Sequence, residues 1–323
     1  MPKLLILGDI HAEGRALLAS RPDMQFEIVA SPSEVDVRNG MRDAEAVILR
    51  KADLRADTIG LASRLRMISR HGVGLDNIDM DAATARGIPV SVVGDASSSS
   101  VAEHAMLLML AAARRLHAAE RLARTTDPGT RADFIDRRNH LGMSDLAGKC
   151  VLIVGFGRIG RGVAKRCAAF EMSVIVADPF ATTDAYRHVV DFNSALPGAD
   201  GVVLCLPAAA QASPLIGAGE LARFKSGAIL VNVARGSLVD EQALADALRS
   251  GHLRNAATDV WAHLPPALDH PFRAFEDMVL TPHCAPLTEE CMARVAVLSV
   301  RNVLDYFDGR LDRRFVVNPE VLG

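Results

Sequence analysis

The sequence lacks a cysteine framework. Its five cysteines, at 150, 167, 205, 284 and 291, form no C-x-x-C pair. An odd, scattered set argues against a disulfide scaffold or a cysteine zinc site and fits reduced thiols in the cytosol. A basic excess is lacking too: 36 Lys and Arg face 39 Asp and Glu, a formal net charge of −3. Such a balance offers no stripe to neutralise phosphates along a duplex, so nucleic acid is not an expected partner. Long apolar runs are missing as well. The longest, 105–113, falls well short of the roughly 20 residues that a membrane span needs. The run 4–7 is too short for a signal-peptide core, and Asp9 follows at once. The sequence therefore predicts a soluble, cytoplasmic protein with no membrane partner and no metal. Only 97–100 is of low complexity, and no short-period repeat is present.

What is there is enough apolar material for a large core. Half of the 323 residues are hydrophobic and 23% are charged. That length favours two domains. Short apolar runs at 4–7, 26–30, 46–49, 67–69 and 89–92 alternate with helical stretches such as 57–63 and 81–86. A second series of runs follows at 150–154, 174–177, 202–206, 229–233, 256–260 and 279–281. This alternation predicts an α/β protein with two doubly wound parallel sheets.

Between the two series a long helix is expected from about Val101, with Ser100 and Glu103 as an S-x-x-E capping box. Its sequence is apolar nearly all round, so it needs cover on most sides. A second subunit or a domain interface would each provide it. Segment 121–148, rich in Arg, Asp, Thr and Gly, reads as an extended excursion that wraps a neighbour. The stretch 289–309 reads as a helix that returns to the first domain and makes it discontinuous.

The apolar run 151–154 leads straight into Gly155-Phe156-Gly157-Arg158-Ile159-Gly160, and a helical pattern follows. Asp178 ends the next run, 21 residues after Gly157. Strand, glycine turn, helix and distant acid together form the fingerprint of a dinucleotide site. Gly155 would permit the tight turn, Gly157 the approach of a pyrophosphate, and Gly160 close helix–sheet packing. The N–H groups near Arg158 and Ile159 would face the anion at the positive end of the helix. Asp178 would accept from the adenosine ribose hydroxyls. It would repel a 2′-phosphate, which favours NAD over NADP.

Four further segments accompany this motif: 70–79 (RHGVGLDNID), 100–104 (SVAEH), 232–236 (NVARG) and 281–283 (TPH). In order and spacing the five resemble the D-isomer-specific 2-hydroxyacid dehydrogenases, the family of phosphoglycerate dehydrogenase. The resemblance covers about 45–310. It implies a Rossmann NAD domain at 101–288, inserted into a flavodoxin-like substrate domain at 1–100 and 289–323. It also implies a homodimer. The implied activity is hydride transfer between NAD and a small 2-hydroxy or 2-oxo acid, of phosphoglycerate or hydroxypyruvate/glyoxylate type. Arg235 would be catalytic, its planar fork suited to a carboxylate and the adjacent carbonyl. His283 would exchange the proton. Asp259 would bind the nicotinamide carboxamide, and Val233 and Ala234 would line the ring. Leu206 and Pro207 would line the cofactor as well. Gly72, Val73 and Gly74 would hold the substrate carboxylate on backbone N–H groups. Arg50 would sit near the substrate's distal end.

The sequence also departs from the family. Its usual third catalytic residue is a glutamate that pairs with the histidine, and here that position is Leu264. The family's H-x-x-G carries Pro286 in the glycine position, and its H-x-P reads Cys205-Leu206-Pro207. Threonines that follow are replaced by Ala209 and Ala212. Leu264 keeps open a non-catalytic or weakly catalytic NAD-binding sensor. The stretches 259–261 and 269–273 resemble formate dehydrogenases of the same superfamily, which carry glutamine at the Leu264 position, so a formate dehydrogenase-like enzyme is a second, lesser alternative. Formate gives up a hydride with no oxygen-bound proton and needs no acid/base carboxylate.

Overall fold

In a computed structural model that describes residues 1–125, 131–181, 183–207 and 213–322, the chain divides into two units. One comprises Met1–Ser97 and Leu287–Gly323, the other Ser98–Pro286.

The first unit alternates strand and helix: β1 (Lys3–Leu7), α1 (Ala12–Ala19), β2 (Gln25–Val29), α2 (Glu34–Met41), β3 (Ala46–Leu49), α3 (Ala56–Leu61), β4 (Met67–Arg70), α4 (Met80–Ala85) and β5 (Val90–Ser91). Its five parallel strands run in the order β2-β1-β3-β4-β5, the flavodoxin-like arrangement. Leu4 to Leu7 and Ala46 to Leu49 are wholly buried, because a parallel sheet is covered on both faces. One face packs on α2, α3 and α4. The other receives the helix Glu289–Phe307, whose Ala296, Val300 and Val303 meet Leu4, Ile6 and Ile48. The two distant sequence segments thus share one core.

The second unit starts with α5 (Ser98–Ala113), α6 (Leu116–Thr125) and α7 (Arg131–Asn139). Then come β6 (Cys150–Val154), α8 (Arg158–Ala169), β7 (Ser173–Ala177), β8 (Arg187–Val189), β9 (Gly201–Leu204), α9 (Ala218–Leu221), β10 (Ala228–Asn232), α10 (Glu241–Arg249), β11 (Leu253–Thr258) and β12 (Val279–Leu280). The seven parallel strands run β12-β11-β10-β9-β6-β7-β8. That is the Rossmann order with one strand added, and its switch point lies between β6 and β9. Helices α5 and α8 cover one face with a core that includes Met106, Met109, Val151 and Val163. Among the described residues, no helix is long and apolar enough to cross a membrane.

Three expectations need correction. The helix starts at Ser98, so Ser100 lies inside it and is buried, not at its cap. Ser99 instead bonds Glu103, which also pairs with Arg166 of α8 at 2.8 Å. The described part of 121–148 is largely helical, in α6 and α7, rather than extended. Same-face ion pairs at i,i+4, Glu120–Arg124 and Asp133–Arg137, help such polar helices form. The run 202–206 leaves the sheet after Leu204, so Leu206 and Pro207 belong to the loop. Ala209 and Ala212 lie outside the described residues.

Candidate active site

The carboxyl-terminal edge of the seven-stranded sheet collects the chemistry. The glycine turn follows β6, Asp178 follows β7, Arg235 follows β10, and His283 follows β12. Ligands of doubly wound sheets bind at this edge, near the switch point.

Each motif glycine meets a different constraint. Gly155 has φ +94°, and a Cβ there would stand 2.9 Å from the Cys205 backbone. At Gly160 a Cβ would stand 2.0 Å from the Gly155 carbonyl oxygen, so helix and turn touch only through glycine. Gly157 is unlike both: a Cβ there meets no atom within 4 Å. The protein's own packing does not require that glycine, and it opens onto solvent. It is also the N-cap of α8, and no side chain caps that end. An exposed, uncapped helix start beside an unfilled space suits a pyrophosphate. Arg158 is exposed there and Ile159 half-buried.

Asp178 closes the turn from the next strand. Its carboxylate accepts from the backbone N–H of Phe156 at 2.7 Å, Phe180 at 2.8 Å and Ala181 at 3.0 Å. Burial pushes the carboxyl up, but these donors outweigh it and hold the pKa below its ordinary value. A carboxylate offers about four acceptor sites, so one remains for a ligand hydroxyl.

Arg235 leaves β10 through a loop fixed by Asn232, a buried amide. Asn232 Oδ1 accepts from Ala234 N at 3.0 Å, and its Nδ2 donates to Arg235 O at 2.9 Å. The Arg235 guanidinium is half-buried and donates to Ala234 O at 2.8 Å. Val233 and Ala234 are buried beside it. Gly236 allows the Trp261–Ala262 peptide to cross: a Cβ there would stand 1.9 Å from Trp261 C. The crossing segment is tied by Glu241, which accepts from Ala262 N at 3.1 Å and contacts His270 Nε2 at 3.0 Å.

His283 is exposed and has φ +58°. The left-handed region costs a non-glycine residue about 1–2 kcal/mol. Asp259 supplies the compensation. Its carboxylate accepts from Cys284 N at 2.8 Å, Ala285 N at 3.0 Å and the Thr281 hydroxyl at 2.6 Å. Each bond to a charged acceptor contributes about 1.5–3 kcal/mol, so two backbone bonds outweigh the strain. Asp259 is 1% exposed. Burial pushes its carboxyl up, but His104, Thr281, Ala285 and Cys284 prevail and hold the pKa at about 2. Oδ2 accepts from Ala285 N alone among these bonds, so by the same count one acceptor site remains for the carboxamide contact expected of Asp259.

The ligating atoms of His104, Asp259 and Cys284 lie within 4.8 Å of one another. A cation would have to displace the hydrogen bonds on Asp259. Burial and the Asp259 carboxylate also push the Cys284 thiol up, away from the thiolate a metal needs. A hydrogen-bonded network describes the cluster better. Leu264 is 57% exposed and offers no carboxylate.

In the first unit, Arg70 organises the 72–74 loop. It donates to Gly74 O at 2.8 Å, Leu49 O at 2.9 Å and His71 O at 3.1 Å. Gly72 has φ +149°, and Val73 is 41% exposed. Arg50 is half-buried and bonds the Asp9 carbonyl. Arg70, Asn232, Thr281 and His104 stand in the sequence motifs as letters without a task, and folding supplies one. A polar residue ending an apolar strand run was the available signal at Asn232 and Thr281.

A sequence model of the D-isomer specific 2-hydroxyacid dehydrogenase NAD-binding domain matches residues 106–285. The D-3-phosphoglycerate dehydrogenase of Archaeoglobus fulgidus is 36% identical over 302 residues, 89% of this chain and 56% of that protein. The chain thus spans little more than half the length of such relatives. The glyoxylate reductase of Thermofilum pendens is 33% identical over 99% of this chain and 96% of that protein. Among solved structures, the TT0316 protein of Thermus thermophilus superposes with a TM-score of 0.86. It is 30% identical and covers 98% of this chain and 99% of that one. Fold, motif order and these matches agree: the chain belongs to the D-isomer specific 2-hydroxyacid dehydrogenase family and carries its NAD-binding domain.

Proposed function

We propose that the protein is an NAD-dependent oxidoreductase acting on a small 2-hydroxy or 2-oxo acid, of phosphoglycerate or hydroxypyruvate/glyoxylate type. The observation that carries this reading is the gathering of the glycine turn, Asp178, Arg235 and His283 at one sheet edge. NAD would supply or take the hydride at C2 of the acid. The N-terminus of α8 at Gly157 would hold the pyrophosphate, and the free acceptor site of Asp178 a ribose hydroxyl. Leu206, Pro207, Val233 and Ala234 would line the cofactor. Arg235 would bind the carboxylate and polarise the neighbouring carbonyl. In reduction, the His283 proton would pass to the carbonyl oxygen; in oxidation it would return. Arg50 and the N–H groups of 72–74 are proposed as further substrate contacts.

The test is a panel of glyoxylate, hydroxypyruvate, pyruvate and phosphohydroxypyruvate with NADH. Turnover of at least one is expected, with loss of roughly 100-fold or more in Arg235→Lys, which keeps the charge but not the fork. No turnover on any would overturn the proposal. NADH binding alone would then favour a sensor, the alternative that Leu264 supports, and oxidation of formate would favour the formate dehydrogenase reading.

We further infer a homodimer. Helix α5 is buried along most of its length, yet Leu107 is 53% exposed, as is 49% of Leu116 on α6. Light scattering should give twice the 34.5 kDa chain mass, and Leu107→Arg should reduce it. A wild-type monomer would refute the inference.

A further inference from the structure

The family glutamate that would orient the histidine is Leu264 here, and another set of groups surrounds the His283 turn. We propose that Thr281, His104 and Asp259 are positioning residues that fix His283 through its backbone. This rests on the reading of His283 as the proton-exchanging group.

The geometry sets the direction of every bond. Thr281 Oγ1 lies 2.6 Å from Asp259 Oδ1, a carboxylate oxygen that can only accept. The Thr281 proton therefore points to Asp259, and Thr281 Oγ1 is left to accept from His104 Nε2 at 3.0 Å. That assigns the His104 proton to Nε2. Asp259 then grips the two N–H groups that follow His283, those of Cys284 and Ala285. On the other side Trp261 Nε1 donates to Thr281 O at 3.0 Å. Thr281 N continues the sheet ladder to Thr258 O at 3.0 Å. The residues flanking the Pro282–His283 pair are held on both sides, and the left-handed φ of His283 is the conformation these bonds select.

The chain of contacts starts on α5, in the S-V-A-E-H segment, and ends at the turn after β12. It gives His104 and Thr281 a task that neither cofactor binding nor core packing demands. Thr281→Val removes the central hydroxyl at nearly constant volume. Three results are expected. Hydrogen exchange at the Cys284 and Ala285 amides accelerates at least tenfold. The kcat for 2-oxoacid reduction falls roughly 10- to 100-fold, with the KM for NADH changed less than about threefold. Thr281→Ser restores both. His104→Phe, which keeps the volume and removes the donor, should act in the same direction and serves if Thr281→Val does not fold. Unchanged exchange at 284 and 285, or a loss of activity that is all in the KM for NADH, would overturn the proposal. If the wild type reduces no 2-oxoacid, the functional reading fails on its own. The exchange data still decide whether the network holds the turn.

Discussion

Gly157 and Gly160 sit three residues apart in one motif and obey opposite demands. Gly160 touches the carbonyl of Gly155, so a methyl group there must break the strand–turn–helix joint. A methyl group at Gly157 would meet no protein atom within 4 Å, so it leaves the fold alone and intrudes only on a bound anion. Gly160→Ala should therefore destabilise the second unit by about 1–3 kcal/mol, as overpacking does. Gly157→Ala should keep its melting temperature and weaken NADH binding at least tenfold. Thermal melting and calorimetric titration separate the two. Equal stability of both variants, or equal NADH affinity of wild type and Gly157→Ala, would contradict the assignment. At Gly236 the crossing Trp261–Ala262 peptide sets the demand, so the glycine of the N-V-A-R-G segment serves the position of Arg235 only through its neighbour.

Strands and helices show what the sequence could reveal. Apolar runs such as 46–49 and 150–154 end where their strands end, because a parallel strand buried on both faces must be apolar throughout. Helix α7 was illegible because its residues are polar and none is buried, whereas α6 does carry an apolar stripe, Leu116, Ala119 and Leu122, of which only Leu122 falls within 121–148. The site divides in the same way. Arg235 and His283 were visible as motif letters after apolar runs. The tasks of Asn232 and Asp259 were not, since they depend on backbone N–H groups brought near by folding. The segment 261–272 is held by such a tertiary tie. His270 Nδ1 accepts from Phe272 N, so its Nε2 carries the proton and donates to Glu241. Trp261 packs edge-on to the His270 ring at 5.1 Å. Both partners are at least four-fifths buried, so loss of the acceptor leaves the His270 Nε2–H donor without its bond. Glu241→Ala should cost about 1–3 kcal/mol and alter Trp261 fluorescence in the folded state. A variant that matched wild type in melting and emission would show that Glu241 does not hold the segment.

Across the whole molecule, each unit has its own core and its own acid sensitivity. In the first unit His71 is 7% exposed. Burial, then the nearby Arg50 and Arg70 cations, push its imidazole down to about 3. An unfolded histidine protonates near 6.5. Below that pH the unfolded chain takes up a proton that the folded unit refuses, so stability declines from about 6.5 down to about 3. At pH 4.5 the loss is roughly 3 kcal/mol, a large share of a domain's usual margin. The lowered carboxylates of this unit, Asp23, Asp36, Asp57 and Asp312, lie at or near the surface, where solvent screens their pairs. In the second unit Asp259 is held at about 2, and Asp178 and Asp200 are also lowered. A depressed carboxylate stabilises above its ordinary pKa near 3.9 and loses that contribution only as pH falls towards 2. The single tryptophan, Trp261, reports the second unit alone. Acid titration should therefore lower far-UV circular dichroism between pH 5 and 4 while Trp261 emission stays native until below pH 4. His71→Gln removes the earlier titration, and the two curves should then converge. Coincident curves in the wild-type protein would mean that His71 does not set the first unit's acid limit.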